Sequence, residues 1–159
     1  MSRLIGHHLS DTLLESLSAD HAIERADHAI VICSVDEQGR PHPAMLSRLE
    51  IVARDARHIR LAVHAASRTA RNLTANRHLT VILADEGGVH YLKGDAALTA
   101  TALTAAPAMS AFTLHVDRVL EDTPADYEQA RLVTGIRIAR AGMDISRAQA
   151  VLSELTTGV

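Results

Sequence analysis

Two stretches of the chain, 45–52 and 58–65, alternate in hydrophobic character, separated by the polar break Arg54-Asp55-Ala56-Arg57. In the first, Met45, Ser47, Leu49 and Ile51 fall on one side and Leu46, Arg48, Glu50 and Val52 on the other. In the second, Ile59, Leu61 and Val63 oppose Arg60, Ala62 and His64. A period of two is that of an extended strand, so the pattern predicts a hairpin of two long strands. Before it, H-A-I-V-I-C-S-V (28–35) is short, apolar and β-branched and reads as a buried strand. Asp36-Glu37-Gln38-Gly39 follows as a tight turn, with Gly39 suited to positive φ. Pro41 and Pro43 cannot donate to a ladder and mark a strand start or an edge. Residues 78–84, 89–103 and 109–120 supply further strands, with Gly94 as the site of a bulge.

Elsewhere the period becomes helical. Residues 10–18 carry Leu13, Leu14 and Leu17 on one face, with Ser10 or Asp11 as cap. Residues 19–27 read as a polar connector. Ser67 is a natural N-cap for a helix over 67–76. Thr123-Pro124-Ala125-Asp126 has the cap, proline and early acid of a helix start, which predicts a helix to about Arg140, ended by Gly142. A last helix covers roughly 146–155. The string is mainly β (α+β), mostly joined by tight turns. It predicts a six-stranded antiparallel β-barrel in one domain (1–159), with peripheral helices at both termini and one after strand three.

Composition narrows the chemistry. Of 159 residues 2% are aromatic (Tyr91, Phe112 and Tyr127), which leaves no platform of stacked rings for single-stranded nucleic acid. The formal charge of -3 gives no broad footprint for DNA or RNA. No apolar run approaches a membrane span, and M-S-R-L-I-G-H-H lacks a signal peptide's apolar core, so the expected compartment is the cytoplasm. Cys33, the one cysteine, lies in an apolar run and reads as a core residue. Familiar catalytic and phosphate-loop motifs are absent.

What remains is the strand-to-helix junction H-A-A-S-R-T-A-R-N-L (64–73). A helix N-terminus presents unpaired N–H groups that suit a phosphate, and Ser67, Thr69, Arg68 and Arg71 add hydroxyl and guanidinium donors. A capped surface helix with solvated arginines is the plainer reading of the same residues.

Three segments in this order, D-E-Q-G-R-P-H-P-A-M-L-S, A-A-S-R-T-A-R-N-L and V-H-Y-L-K-G-D-A, resemble the pyridoxamine 5'-phosphate oxidase-like, FMN-binding split-barrel superfamily over roughly residues 20–125. The resemblance implies a split-barrel homodimer with a flavin in each of two clefts along the subunit interface, acting as an oxidoreductase on a small molecule. It implies that Met45, Leu46 and Ser47 run beside the flavin ring, and that Ala62, Val63 and His64 approach the ring and ribityl chain. Ser67, Arg68 and Thr69, with Arg71 nearby, would hold the phosphate. Lys93, the sole lysine, falls on a later strand near the cofactor in such proteins; a solvated guard of a sheet edge is the alternative.

Thr69 stands where the oxidase has a lysine and Ala44 where it has an arginine, so positive charge is lost at the phosphate and vitamin B6 oxidation is not expected. Arg48 or Arg71 are the candidates to compensate. His7 and His8 fall in a loose N-terminus, whereas His42, His64, His90 and His115 lie on strands. Some split-barrel relatives hold haem, which needs an axial ligand such as histidine. No histidine spacing suits a zinc site. FMN is the expected cofactor, with a deazaflavin, haem or a cofactor-free binding dimer as alternatives.

Overall fold

The computed structural model describes residues 2–86, 88–130, 132–139 and 144–158. Its elements in chain order are β1 (Ser2–Gly6), α1 (Asp11–Ser16), α2 (Ala19–Glu24), β2 (His28–Val35), β3 (Pro41–Ser47), a 3-10 turn (Arg48–Glu50), β4 (Ile51–Ala53), β5 (His58–His64) and α3 (Arg68–Asn76). They continue with β6 (His78–Asp85), β7 (Gly88–Ala100), β8 (Met109–Asp122), a second 3-10 turn (Asp126–Glu128), β9 (Ile136–Arg137) and α4 (Ile145–Thr157). The strands form one antiparallel sheet in the order β3-β2-β6-β7-β8-β5-β4, with β1 added to β8 and β9 to β2.

The sheet curls around Ile30, Ile32, Leu61, Leu79, Val81, Leu92, Phe112 and Leu114, all buried. A second apolar cluster lies outside the barrel, where Val151, Leu152 and Leu155 of α4 pack on Leu49, Val52 and Ala62. Four helices start on side-chain caps, from Ser10, Ser18, Ser67 and Asp144. No helix among the described residues is long and apolar enough to cross a membrane.

Much of the expected pattern is present. The 28–35 strand, the turn with Gly39 at φ 76° and the Ser67-capped helix all form. At Gly94 the β7–β8 register shifts, and a Cβ there would lie 1.8 Å from the His115 carbonyl oxygen. Pro41 and Pro43 lie on an edge strand, β3.

Five expectations are corrected. The predicted long strand over 45–52 breaks at Ser47. The Ser47 hydroxyl accepts from the Leu49 N–H (3.1 Å) and Glu50 accepts from the Ser47 N–H (2.7 Å), a reciprocal cap that turns the chain. As a result β3 pairs only with β2, and the expected hairpin shrinks to Ile51–Ala53 against Ile59–Leu61. Residues 19–27 are not a plain connector, because Ser18 caps a short helix there.

The helix expected from Thr123 to Arg140 does not form over the described residues. Arg137 and Ile136 pair with His28 and Ala29 instead, Arg137 bonds Asp27, and Gly135 lies so close to Ala84 that a Cβ would meet its carbonyl at 2.5 Å. Gly142, its expected end, lies outside the described residues. The N-terminus is paired rather than loose: Leu4 faces Leu120 across the sheet and the His7 Nδ1 lies 2.8 Å from the Asp117 carbonyl. Cys33 is half-buried on the outer face of β2, opposite in direction to Ile32 and Ser34.

Candidate functional site

The two edge strands of the sheet, β3 and β4, are consecutive in the chain and joined by the Arg48–Glu50 turn. The barrel therefore closes through a peptide link rather than a ladder, and a gap opens between β3 and β5. A cleft of about 340 Å3 occupies that gap, within the usual size of small-molecule sites. Met45 and Leu46 line it from β3, Ala62, Val63 and His64 from β5, and Ser67 and Thr69 from the start of α3. Ile32, Ala44, Glu50 and Met109 complete the wall.

The floor is set by strand parity. Proline has no N–H, so Pro41 and Pro43 fit an edge strand only where their nitrogens face away from β2. Met45 shares their parity, so its N–H and C=O also point out of the β2–β3 ladder, into the gap. The Ser47 N–H, of the same parity, is indeed taken by Glu50 and not by β2.

The far end of the cleft is a helix N-terminus. The Ser67 hydroxyl accepts from the Ala70 N–H at 3.1 Å, while the Arg68 and Thr69 N–H groups come too early in the helix for an intrahelical partner. These donors and the positive end of the helix suit a phosphate. Arg68 and Arg71 face another way: they line an adjoining polar hollow of about 270 Å3 with Asp36, Glu37, Gln38 and Asn72. The Arg71 guanidinium also donates to the Ala66 carbonyl at 3.0 Å. Ser47, expected beside the ring, instead caps the Arg48–Glu50 turn.

Arg48 does not compensate for the charge lost at Thr69 and Ala44. Only 2% exposed, it donates to the Ser16 carbonyl at 2.9 Å and lies 3.5 Å from Asp85. Burial lowers its pKa, and the nearby Asp85 carboxylate opposes that shift. The Asp85 carboxyl, although burial raises it, is held below the ordinary range by the Glu86 N–H, Arg25 and Arg48. Lys93 is no edge guard either, because β7 runs between β6 and β8, with Lys93 opposite Thr80 and Arg118.

Of the strand histidines, His64 lines the cleft. His115 lies against the His58 ring (5.3 Å between centroids) and His90 is 3.7 Å from Glu121. The Ala66 N–H donates to His64 Nδ1 at 3.3 Å, which leaves the ring proton on Nε2. Sequence reasoning missed Glu50 and Met109. The capping-box spacing Ser47-x-x-Glu50 was the available signal for the first; nothing marked the second.

A family model for pyridoxamine 5'-phosphate oxidase matches residues 19–139, well over half of the chain, and the chain belongs to that family. It is 31% identical over 130 residues to the uncharacterized protein YclD of Bacillus subtilis, covering 82% of each. Among solved structures, HupZ of Group A Streptococcus has a TM-score of 0.53 at 13% identity, covering 79% of this chain and 98% of that one. A protein related to general stress protein 26, of the pyridoxinephosphate oxidase family, from Clostridium acetobutylicum has a TM-score of 0.52 at 12% identity, covering 72% and 91%. At such identities these two likenesses concern the fold alone.

Proposed function

We propose that the cleft between β3 and β5 holds FMN, or a deazaflavin with the same phosphate end, and that the protein is a small homodimeric oxidoreductase. The observation that carries this reading is convergence: Met45 and Leu46, Ala62 to His64, and Ser67 with Thr69 come from three separate segments onto one cleft. The donor set fits the group. The Met45 backbone edge offers one donor and one acceptor to the polar rim of a flavin ring. The Arg68 and Thr69 N–H groups and the Ser67 and Thr69 hydroxyls meet its phosphate. Arg68 and Arg71 line the neighbouring hollow, and Arg68, next in the chain to Ser67, would reach the phosphate by turning out of it.

When bound, the flavin supplies the hydride or electron chemistry. The chain orients it along β3, and Ile32, Ala44 and Leu46 exclude water from the inner side of the cleft. No acid–base pair is required of the protein.

The dimer reading rests on a cross-strand row on the outer face of the sheet, Met45, Val31, Ile82 and Tyr91. Met45 is 64% exposed and belongs to both the row and the cleft. A second copy seated on this row would close the cleft over the cofactor. Haem is the second reading, since His64 is the strand histidine that lines this cleft and an axial ligand of that kind is what haem iron needs.

The absorbance spectrum of the purified protein, before and after FMN addition, tests the reading. Bands near about 370 and 450 nm are expected, and mass spectrometry of the extracted cofactor separates FMN from a deazaflavin. A Soret band, or a colourless protein that takes up no FMN, overturns it. Sedimentation equilibrium is expected to give a dimer, and a monomer at all concentrations overturns that part.

A further inference from the structure

On the outer face of the sheet, pairing brings together histidines that are far apart in the chain. His58 of β5 lies directly opposite His115 of β8, and Asp95 of β7 and His78 of β6 continue the row. The Val116 N–H donates to the Arg57 carbonyl at 2.7 Å, so the rung before His58 is a hydrogen-bonded one. His58 and His115 are therefore a non-bonded pair, the kind whose side chains come closest. Their ring centroids are 5.3 Å apart, with the planes tilted by 60°. Asp55 fixes the first ring. Its carboxylate accepts from the Arg57 and His58 N–H groups at 2.7 and 2.9 Å and lies 2.9 Å from His58 Nδ1. A carboxylate only accepts, so Nδ1 carries the proton and, in the neutral ring, Nε2 keeps its lone pair. The exposed His115 has no hydrogen bond or ion pair with any described residue.

We infer that His58 and His115 bind a divalent d-block cation between their rings, copper most tightly, with Asp55 as the carboxylate that orients His58. Imidazole holds such a metal at about 2.0–2.1 Å, which puts each ring centroid about 3.2 Å from it. At a tetrahedral angle the centroids are then about 5.2 Å apart, close to the separation already present. Neutral imidazole suits copper, nickel and zinc rather than magnesium or calcium, and copper leads the order of affinity. A carboxylate behind the bound ring is the usual support of a metal-ligating histidine. Among the described residues no three ligating side chains gather around one point, and Asp95 is held by His78 at 2.9 Å. Water therefore completes the coordination. The site is independent of the flavin reading: His64, which lines the cleft, is at the other end of the seven-residue β5, roughly 20 Å away.

Isothermal titration of the untagged full chain with copper, nickel and magnesium chlorides tests this, with electron paramagnetic resonance reading the ligands of bound copper. One copper with two nitrogen ligands is expected, nickel binding more weakly and magnesium not at all. His58→Gln and His115→Gln should each weaken copper at least about ten-fold, and Asp55→Asn by about ten-fold. Asp55→Asn keeps the oxygen that the backbone N–H groups use but turns an NH2 toward the ring. His21→Gln, on α2, should change nothing. Copper should also raise the Tm of the native chain by joining β5 to β8, and should leave that of His115→Gln unchanged; the metal-free Tm of each variant shows that it is folded. No copper uptake, uptake that survives either histidine variant, or equal uptake of magnesium overturns the inference. Unchanged affinity in Asp55→Asn overturns the role given to that carboxylate.

Discussion

Glu154 fastens the last helix to the barrel. From the final turns of α4 its two carboxylate oxygens accept from the Thr104 N–H (2.8 Å) and the Ala105 N–H (3.0 Å), in the link between β7 and β8. Hydrogen bonds to a charged acceptor contribute about 1.5–3 kcal/mol each when buried. This group is half-exposed, so water replaces part of that contribution. Glu154→Gln keeps one acceptor but turns an NH2 toward the second N–H, and a loss of about 1–2 kcal/mol is expected. Glu154→Ala removes both bonds and should lose about 1.5–3 kcal/mol. For a chain of this size each kcal/mol lowers Tm by roughly 2–4 °C.

The pH dependence has a definite sign. The Ala105 and Thr104 N–H groups hold the Glu154 carboxyl below the ordinary glutamate range. A depressed folded-state pKa contributes stability that is full above the unfolded value and is lost as pH falls through the folded one. Urea unfolding at about pH 7 and again at about pH 3 should therefore give a gap between the native chain and Glu154→Gln that narrows in acid. A gap of equal size at both pH values, or no gap at neutral pH, would refute the reasoning.

Arg68→Ala should weaken FMN binding by roughly 1.5–3 kcal/mol if the guanidinium reaches the phosphate from its hollow; unchanged affinity by fluorescence titration rejects that role. Gly94→Ala forces a Cβ onto the His115 carbonyl and should cost at least about 3 kcal/mol in chemical denaturation, with a tolerated alanine showing that the bulge can relax. Arg48→Met gives up the Ser16 bond but relieves a burial cost. Asp85 keeps Arg25 at 2.5 Å, so the expected loss is about 1–2 kcal/mol rather than the 3–5 of an orphaned buried charge. A larger loss would mean that Arg48, not Arg25, holds Asp85.

The barrel strands were legible because their signal is local: alternation over 58–65 and the β-branched run at 28–35 need no partner to be recognised. The capped start of α3 at Ser67 was legible for the same reason, since a cap and the turn that follows it are defined within a few positions. The break at Ser47 was hidden because the alternation of side chains continues straight through Arg48–Glu50. What ends the strand is a pair of side-chain-to-backbone bonds that periodicity does not register. The segment after Thr123 misled for the opposite reason. Its start signals are good, but Ile136 and Arg137 gain more by extending the sheet beside His28 than by helical bonds. The directions of Arg68 and Arg71 lie beyond any sequence reading, because which side of α3 they face depends on the distant Asp36–Gln38 turn.

The peptide link between β3 and β4 has a thermodynamic corollary. Where a closed barrel would carry a rung of backbone bonds, this one has an open edge at Met45, and whatever bonds that edge acts as the absent strand. Occupancy of the gap is then part of the folding equilibrium itself, adding RT ln(1 + [L]/Kd) to stability, about 2.7 kcal/mol at a hundred-fold excess over Kd. The melting temperature of the protein is in this sense a ligand assay supplied by its own architecture: the molecule that raises it most at equal concentration is the one the gap was shaped to hold.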